Sequence, residues 1–105
     1  MNGGPARAKR LWSLYVIRVE GGALYTGIAL DVQRRFEVHR YGGRMAAKCL
    51  RGRRPGHIAF SKVIGTRSLA LKVEYWFKRL PKARKEAVIN AGDVCYDRET
   101  GRITS

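Results

Sequence analysis

The sequence predicts a small α+β domain (mixed α/β), a three-stranded antiparallel sheet flanked by helices, and three observations predict it. Two short runs rich in β-branched and aromatic residues flank a Glu20-Gly21-Gly22 turn. A full helical stripe, Leu69, Val73, Trp76, Phe77 and Leu80, follows later in the chain. The length, 105 residues, suits one domain with a modest core. The expected organisation is a disordered basic arm over 1–11, a folded domain over 12–92 and a polar tail over 93–105.

Trp12 to Val19 forms the first strand and Ala23 to Ile28 the second. A two-residue loop would put Tyr15 and Tyr25 on opposite faces. The preferred three-residue loop pairs Val19 with Ala23 and Ile17 with Tyr25, because its last position wants a left-handed residue and Gly22 supplies one. In that register the two tyrosines are diagonal neighbours on one face, and Gly27 lies opposite Tyr15. A glycine there lets another group approach the backbone, and a substrate phosphate is the expected group.

Asp31 is a good N-cap for a helix running to about Arg40, with Val32 and Phe36 on its buried stripe. Arg35 and His39, at i and i+4, share a face. Gly42-Gly43 ends the helix. The segment from Arg40 to Arg54 is basic without an acid and reads as a loop holding a short helix over Met45–Leu50. His57 to Ile64 is the third strand, and His57 itself has no partner pattern. Thr66 or Ser68 caps the next helix, which runs to Leu80 and carries Glu74 and Lys78 together at i and i+4. Pro81 breaks it and opens a last helix, Lys82 to Ala91, closed by Gly92.

Charge speaks to partners. Lys and Arg total 22 against 8 acids, a formal net charge of +14. Nucleic acid is the leading partner for such a domain, with an anionic membrane surface or an acidic protein second. Arg34, Arg40, Arg44, Lys48, Arg51, Arg53, Arg54 and Lys78 are the candidate backbone contacts, joined by Gly27 for close approach. Cys49 and Cys95 offer neither a zinc pattern nor a disulfide framework and are read as thiols of a reducing, cytoplasmic compartment. The basic N-terminus lacks the apolar run of a signal peptide, and no stretch is long enough to span a membrane.

The residues suited to phosphoryl chemistry are Tyr15, Tyr25, Arg35, His39 and Glu74. A single acid suffices for a hard divalent ion, which often takes one or two carboxylates with waters and phosphate. The two-tyrosine hairpin (Leu14-Tyr15-Val16 and Tyr25-Thr26-Gly27), the R-x-x-x-H of Arg35 and His39, and the E-x-x-x-K of Glu74 and Lys78 together resemble the GIY-YIG nuclease family, in particular its small stand-alone bacterial members. The resemblance spans Trp12 to Asn90, with Leu14 where the first triplet has its glycine.

That resemblance implies a single-metal DNA endonuclease using Mg²⁺ or Mn²⁺, structure-selective and of the kind that serves repair or recombination. Tyr15 would be the general base or would orient the attacking water, and Tyr25 would position water or phosphate. Arg35 would clamp the scissile phosphate, His39 would relay a proton or hold a phosphate oxygen, and Glu74 would bind the metal. Many members also use a downstream asparagine, for which Asn90 is the candidate here. The alternatives are a basic module that binds DNA or structured RNA without cutting, and a ribosome-associated protein. Either a monomer or a transient dimer fits.

Overall fold

The computed structural model describes residues 10–41 and 55–104, with the side chains of 39–41 and 55 outside the description. The element order is β1 (Trp12–Val19), β2 (Leu24–Ala29), α1 (Val32–Tyr41), β3 (Pro55–Gly65), α2 (Arg67–Lys78) and α3 (Lys82–Ala91). The strands form one antiparallel sheet in the order β2-β1-β3. The central strand is the apolar one, and both its faces are covered.

The hairpin takes the three-residue register. Val19 N donates to Ala23 O and Gly22 N to Val19 O, each over 2.9 Å. Gly21 and Gly22 both have left-handed φ, 92° and 93°, which their missing Cβ makes inexpensive. Ile17 therefore faces Tyr25, and Tyr15 faces Gly27.

Alternation along β1 then sorts side chains into two layers. Leu14 and Val16 join Phe60, Ile64, Ala70, Val73, Phe77, Val88 and Val94 beneath α2 and α3. Tyr15, Ile17 and Val19 join Ala29 and Phe36 on the other face, beneath α1. Leu14, the residue standing in place of a glycine, is fully buried in the first layer.

The helix ends follow ordinary capping. Asp31 Oδ1 accepts from Arg34 N (3.0 Å), and Thr66, not Ser68, caps α2 by accepting from Leu69 N (3.2 Å). The expected extension of α2 to Leu80 is replaced by a tightened turn, where Arg79 N and Leu80 N reach back three residues to Trp76 O and Phe77 O. Pro81 is the N-cap of α3 rather than a residue of its first turn, and Gly92 closes that helix at φ 74°. Arg18 donates two hydrogen bonds to Glu86, of 2.8 and 2.6 Å, tying β1 to α3.

Two expectations need revision. The third strand begins at Pro55, ahead of His57, because a proline is tolerated as the first residue of an edge strand. The polar segment from Asp93 is built into the fold. Val94 lies in the core, Tyr96 bridges to Ile103, and Asp97 organises the intervening turn by accepting from Glu99 N and Thr100 N. Gly101 lies so close to α2 that a Cβ there would come within 2.6 Å of the Lys72 carbonyl carbon. The Met45–Leu50 helix, Gly42-Gly43 and Cys49 lie outside the described residues, while Cys95 is exposed.

Candidate active site on the α1 face of the sheet

The hairpin register brings the two phenols together. The Tyr15 and Tyr25 ring centroids are 6.3 Å apart, with the planes tilted by 50°. The group that comes close to Gly27 is the phenol of Tyr15 itself, in place of the phosphate expected there. A Cβ on Gly27 would fall 2.6 Å from Tyr15 Oη and 2.7 Å from Cζ. Gly27 thus leaves room for the Tyr15 ring against the second strand.

Arg35 enters from α1, held by Arg35 N donating to Asp31 O over 3.0 Å. Its side chain is half-buried and hydrogen-bonds Tyr15. The Tyr15 ring is only 1% exposed, and its hydroxyl is pushed up to about 12. Burial is the main cause, and the neighbouring Tyr25 adds to it. The hydrogen bond and charge of Arg35 oppose both. At neutral pH the group is therefore a phenol, with a phenolate fraction on the order of one in 10⁵.

The raised value carries a stability signature. The folded state holds this proton more tightly than the unfolded chain, whose tyrosines titrate near 10. The associated stability is fully present below about pH 10 and is lost as pH rises toward 12. Urea unfolding followed across that window is expected to show a steeper alkaline loss in the wild type than in Tyr15→Phe.

Arg34 and Arg35 line an open cavity of about 450 Å³ with Trp12, Ile28, Leu30 and Asp31, and neither Tyr15 nor Tyr25 is part of its lining. Arg34 is exposed there. His39 follows Arg35 by one turn of α1, and its side chain, like that of Arg40, is outside the described residues. Arg44, Lys48, Arg51, Arg53 and Arg54 are also outside them. His57 is exposed at the start of β3.

Glu74 comes from the other layer. It follows the buried Val73 on α2, its side chain is 17% exposed, and its carboxylate lies 3.2 Å from Lys78 Nζ. Helix α2 packs on β1 and also on β2, whose Leu24 and Ile28 pack against the shared core layer that holds Ala70, Val73 and Phe77. The contacts thus join Tyr15, Tyr25, Gly27 and Arg35, and join Glu74 to Lys78. Asn90 is exposed in the last turn of α3.

Among the described residues no three His, Cys, Asp or Glu side chains cluster as a metal cage. The carboxylate of Glu74 suits an ion that keeps most of its waters. No helix among the described residues is long and apolar enough to cross a membrane.

A family model described as the GIY-YIG catalytic domain matches residues 11–87. A UPF0213 protein of Citrobacter koseri is 49% identical over 82 residues, covering 78% of this chain and 80% of that protein. One from Enterobacter sp. (strain 638) is 49% identical over 86 residues, covering 82% and 81%. The UPF0213 protein YhbQ of Escherichia coli O127:H6 is 47% identical over 83 residues, covering 79% and 81%. No solved structure matches the chain significantly.

Proposed function

The chain belongs to the GIY-YIG family, and we propose that it is a metal-dependent endonuclease that hydrolyses phosphodiester bonds of DNA. The observation that carries this reading is the packing of Tyr15, Tyr25 and Arg35 into one cluster over Gly27. Phosphodiester hydrolysis needs a water aimed in line at phosphorus and positive charge on the phosphoryl oxygens. The water oxygen forms the new P–O bond, and the leaving oxygen departs with the electron pair of the old one and takes up a proton.

Arg35 binds the scissile phosphate through the planar fork of its guanidinium and stabilises the charge that develops. Tyr15, a neutral phenol, orients the attacking water by hydrogen bonding; it accepts a proton only when further positive charge lowers its hydroxyl from about 12. Tyr25 positions water or phosphate beside it, and His39 relays a proton or holds a phosphate oxygen. Glu74 would hold one divalent ion, Mg²⁺ or Mn²⁺, through its carboxylate. When bound, that ion supplies Lewis-acid stabilisation of phosphoryl charge. Lys78, 54% exposed, is free to turn from Glu74 toward a phosphate.

The net charge of +14 supports contact with backbone phosphates in preference to base edges. Arg34, Arg40, Arg44, Lys48, Arg51, Arg53 and Arg54 supply those contacts. The reading is accordingly of a structure-selective enzyme of DNA repair or recombination, acting in the cytoplasm. The test is incubation of purified protein with single-stranded, duplex and branched DNA in Mg²⁺, Mn²⁺ or chelator. Cleavage that needs the ion and is lost in Tyr15→Phe and Glu74→Ala is expected. Salt-sensitive binding without cleavage under every metal condition would reduce the protein to a silent binding module.

A further inference from the structure

We propose that a second phosphate-binding site lies between the α2–α3 junction and the C-terminal segment, and that it holds the sugar–phosphate backbone of single-stranded nucleic acid. This rests on the reading that nucleic acid is the substrate. A cavity of about 280 Å³ opens there, lined by Trp76, Arg79, Leu80, Arg84, Arg102 and Ile103. That volume is just below the usual range for small-molecule sites and suits one phosphate with its sugar.

The charge arrangement points to an anion. Three arginines line the cavity, and none of the chain's 8 acids does. Asp31, Glu74, Glu86, Asp93 and Asp97 are engaged elsewhere, with the α1 cap, Lys78, Arg18, Lys62 and the turn at 97–100. Two of the guanidiniums are held by rings. Arg79 lies over Tyr75 at 5.4 Å and Arg102 over Trp76 at 5.5 Å, and the two rings brace each other edge to face at 5.3 Å.

Each guanidinium carbon sits over a ring, which holds the cation near the aromatic face. A guanidinium carries five N–H donors, and those not turned toward the ring can reach phosphate oxygens. The site is also more than the shared catalytic domain, since Arg102 and Ile103 lie beyond the matched residues 11–87. It belongs to the α2–α3 layer, whereas the phenols lie under α1. A strand at the tyrosines and a strand at this cavity are then different stretches of one substrate, which favours a bent, looped or branched nucleic acid.

The test is binding of a labelled single-stranded oligonucleotide in chelator, titrated against salt. Arg79→Gln/Arg102→Gln is compared with Lys82→Gln/Lys85→Gln, which removes the same charge outside the cavity. The expected result is weaker binding and a salt slope lowered by about 1.5 in the arginine double, each lost phosphate contact removing about 0.7–0.9, with a smaller change in the lysine double. Equal changes in the two doubles overturn the proposal.

A second readout is independent of how well those variants fold. Trp12→Phe leaves Trp76 as the only tryptophan. Oligonucleotide is expected to alter its fluorescence, and salt to reverse the change. No response overturns the proposal, and an equal response to inorganic phosphate at the same phosphate concentration overturns the backbone assignment. Failure of the wild type to bind any nucleic acid would sink the nuclease reading as well, which separates the two failures.

Discussion

Arg35→Ala is expected to lower DNA cleavage by about 10²- to 10³-fold, the usual effect of removing one preorganised donor to developing negative charge. The fold should tolerate the change. Alanine is the best helix former, and the loss is chiefly the hydrogen bond to Tyr15, worth about 1 kcal/mol. Arg35→Lys should recover only part of the activity, because an ammonium does not reproduce the planar fork. A separate readout distinguishes chemistry from packing. Arg35 is the group that opposes the upward push on the Tyr15 hydroxyl, so its removal should drive phenol ionisation to still higher pH. Spectroscopic titration of the phenols checks this. Unchanged ionisation together with unchanged cleavage would mean that Arg35 is only a surface residue of α1.

Gly27→Ala is expected to damage stability and activity together. The new methyl would sit 2.6 Å from Tyr15 Oη and 2.7 Å from Cζ, well inside contact distance. The ring has no easy way out, since it is packed with Ile17, Ala29 and Phe36 and is 1% exposed. Relieving the clash by shifting the ring or β2 costs about 1–3 kcal/mol. A displacement of the phenol by about 1 Å is expected to cost about 10²-fold in cleavage.

Gly92→Ala separates the two effects. It imposes a left-handed φ of 74° on a side chain, yet nothing lies within 4 Å of its Cβ. It should destabilise by about 1–2 kcal/mol through backbone strain and leave cleavage intact. Equal loss of cleavage in the two variants would show that the Gly27 effect is general instability. Chemical denaturation and initial cleavage rates below the unfolding range measure both.

The parts of the fold legible in the sequence are those that local chemistry dictates. Gly21-Gly22 permits the left-handed turn, and that turn sets the pairing of Tyr15 with Gly27 and Ile17 with Tyr25. Asp31, Thr66 and Gly92 mark helix ends by hydrogen bonds or backbone geometry confined to a few residues. The apolar spacing on α2 identified Val73 and Phe77 of its inner face, but Trp76, counted in that stripe, is half-buried and lines a surface cavity, and Ala70, not named in the stripe, is fully buried.

What the sequence concealed depends on approach over long separations. The space above Gly27 is filled by a residue twelve positions earlier, which a glycine's presence alone does not reveal. The segment after Asp93 looks polar because its anchors are single residues, Val94 in the core and Gly101 against Lys72 and Val73. Arg102 over Trp76 was hidden for the same reason. The tyrosine–arginine cluster was readable because a hairpin and the helix after it are neighbours in the chain. Glu74 is separated from it by a strand and a layer, so the part proposed for it depends on tertiary reach that local sequence does not display.

That reach is what a crystal soaked in Mn²⁺ measures most directly. The account predicts anomalous density for one ion beside the Glu74 carboxylate, with the Tyr15 and Tyr25 hydroxyls and the Arg35 guanidinium facing it across a gap that one phosphate group fills. An ion bound elsewhere, or a Glu74 carboxylate that remains with Lys78 on the far side of the sheet from the phenols while Mn²⁺-dependent cleavage persists, would contradict it.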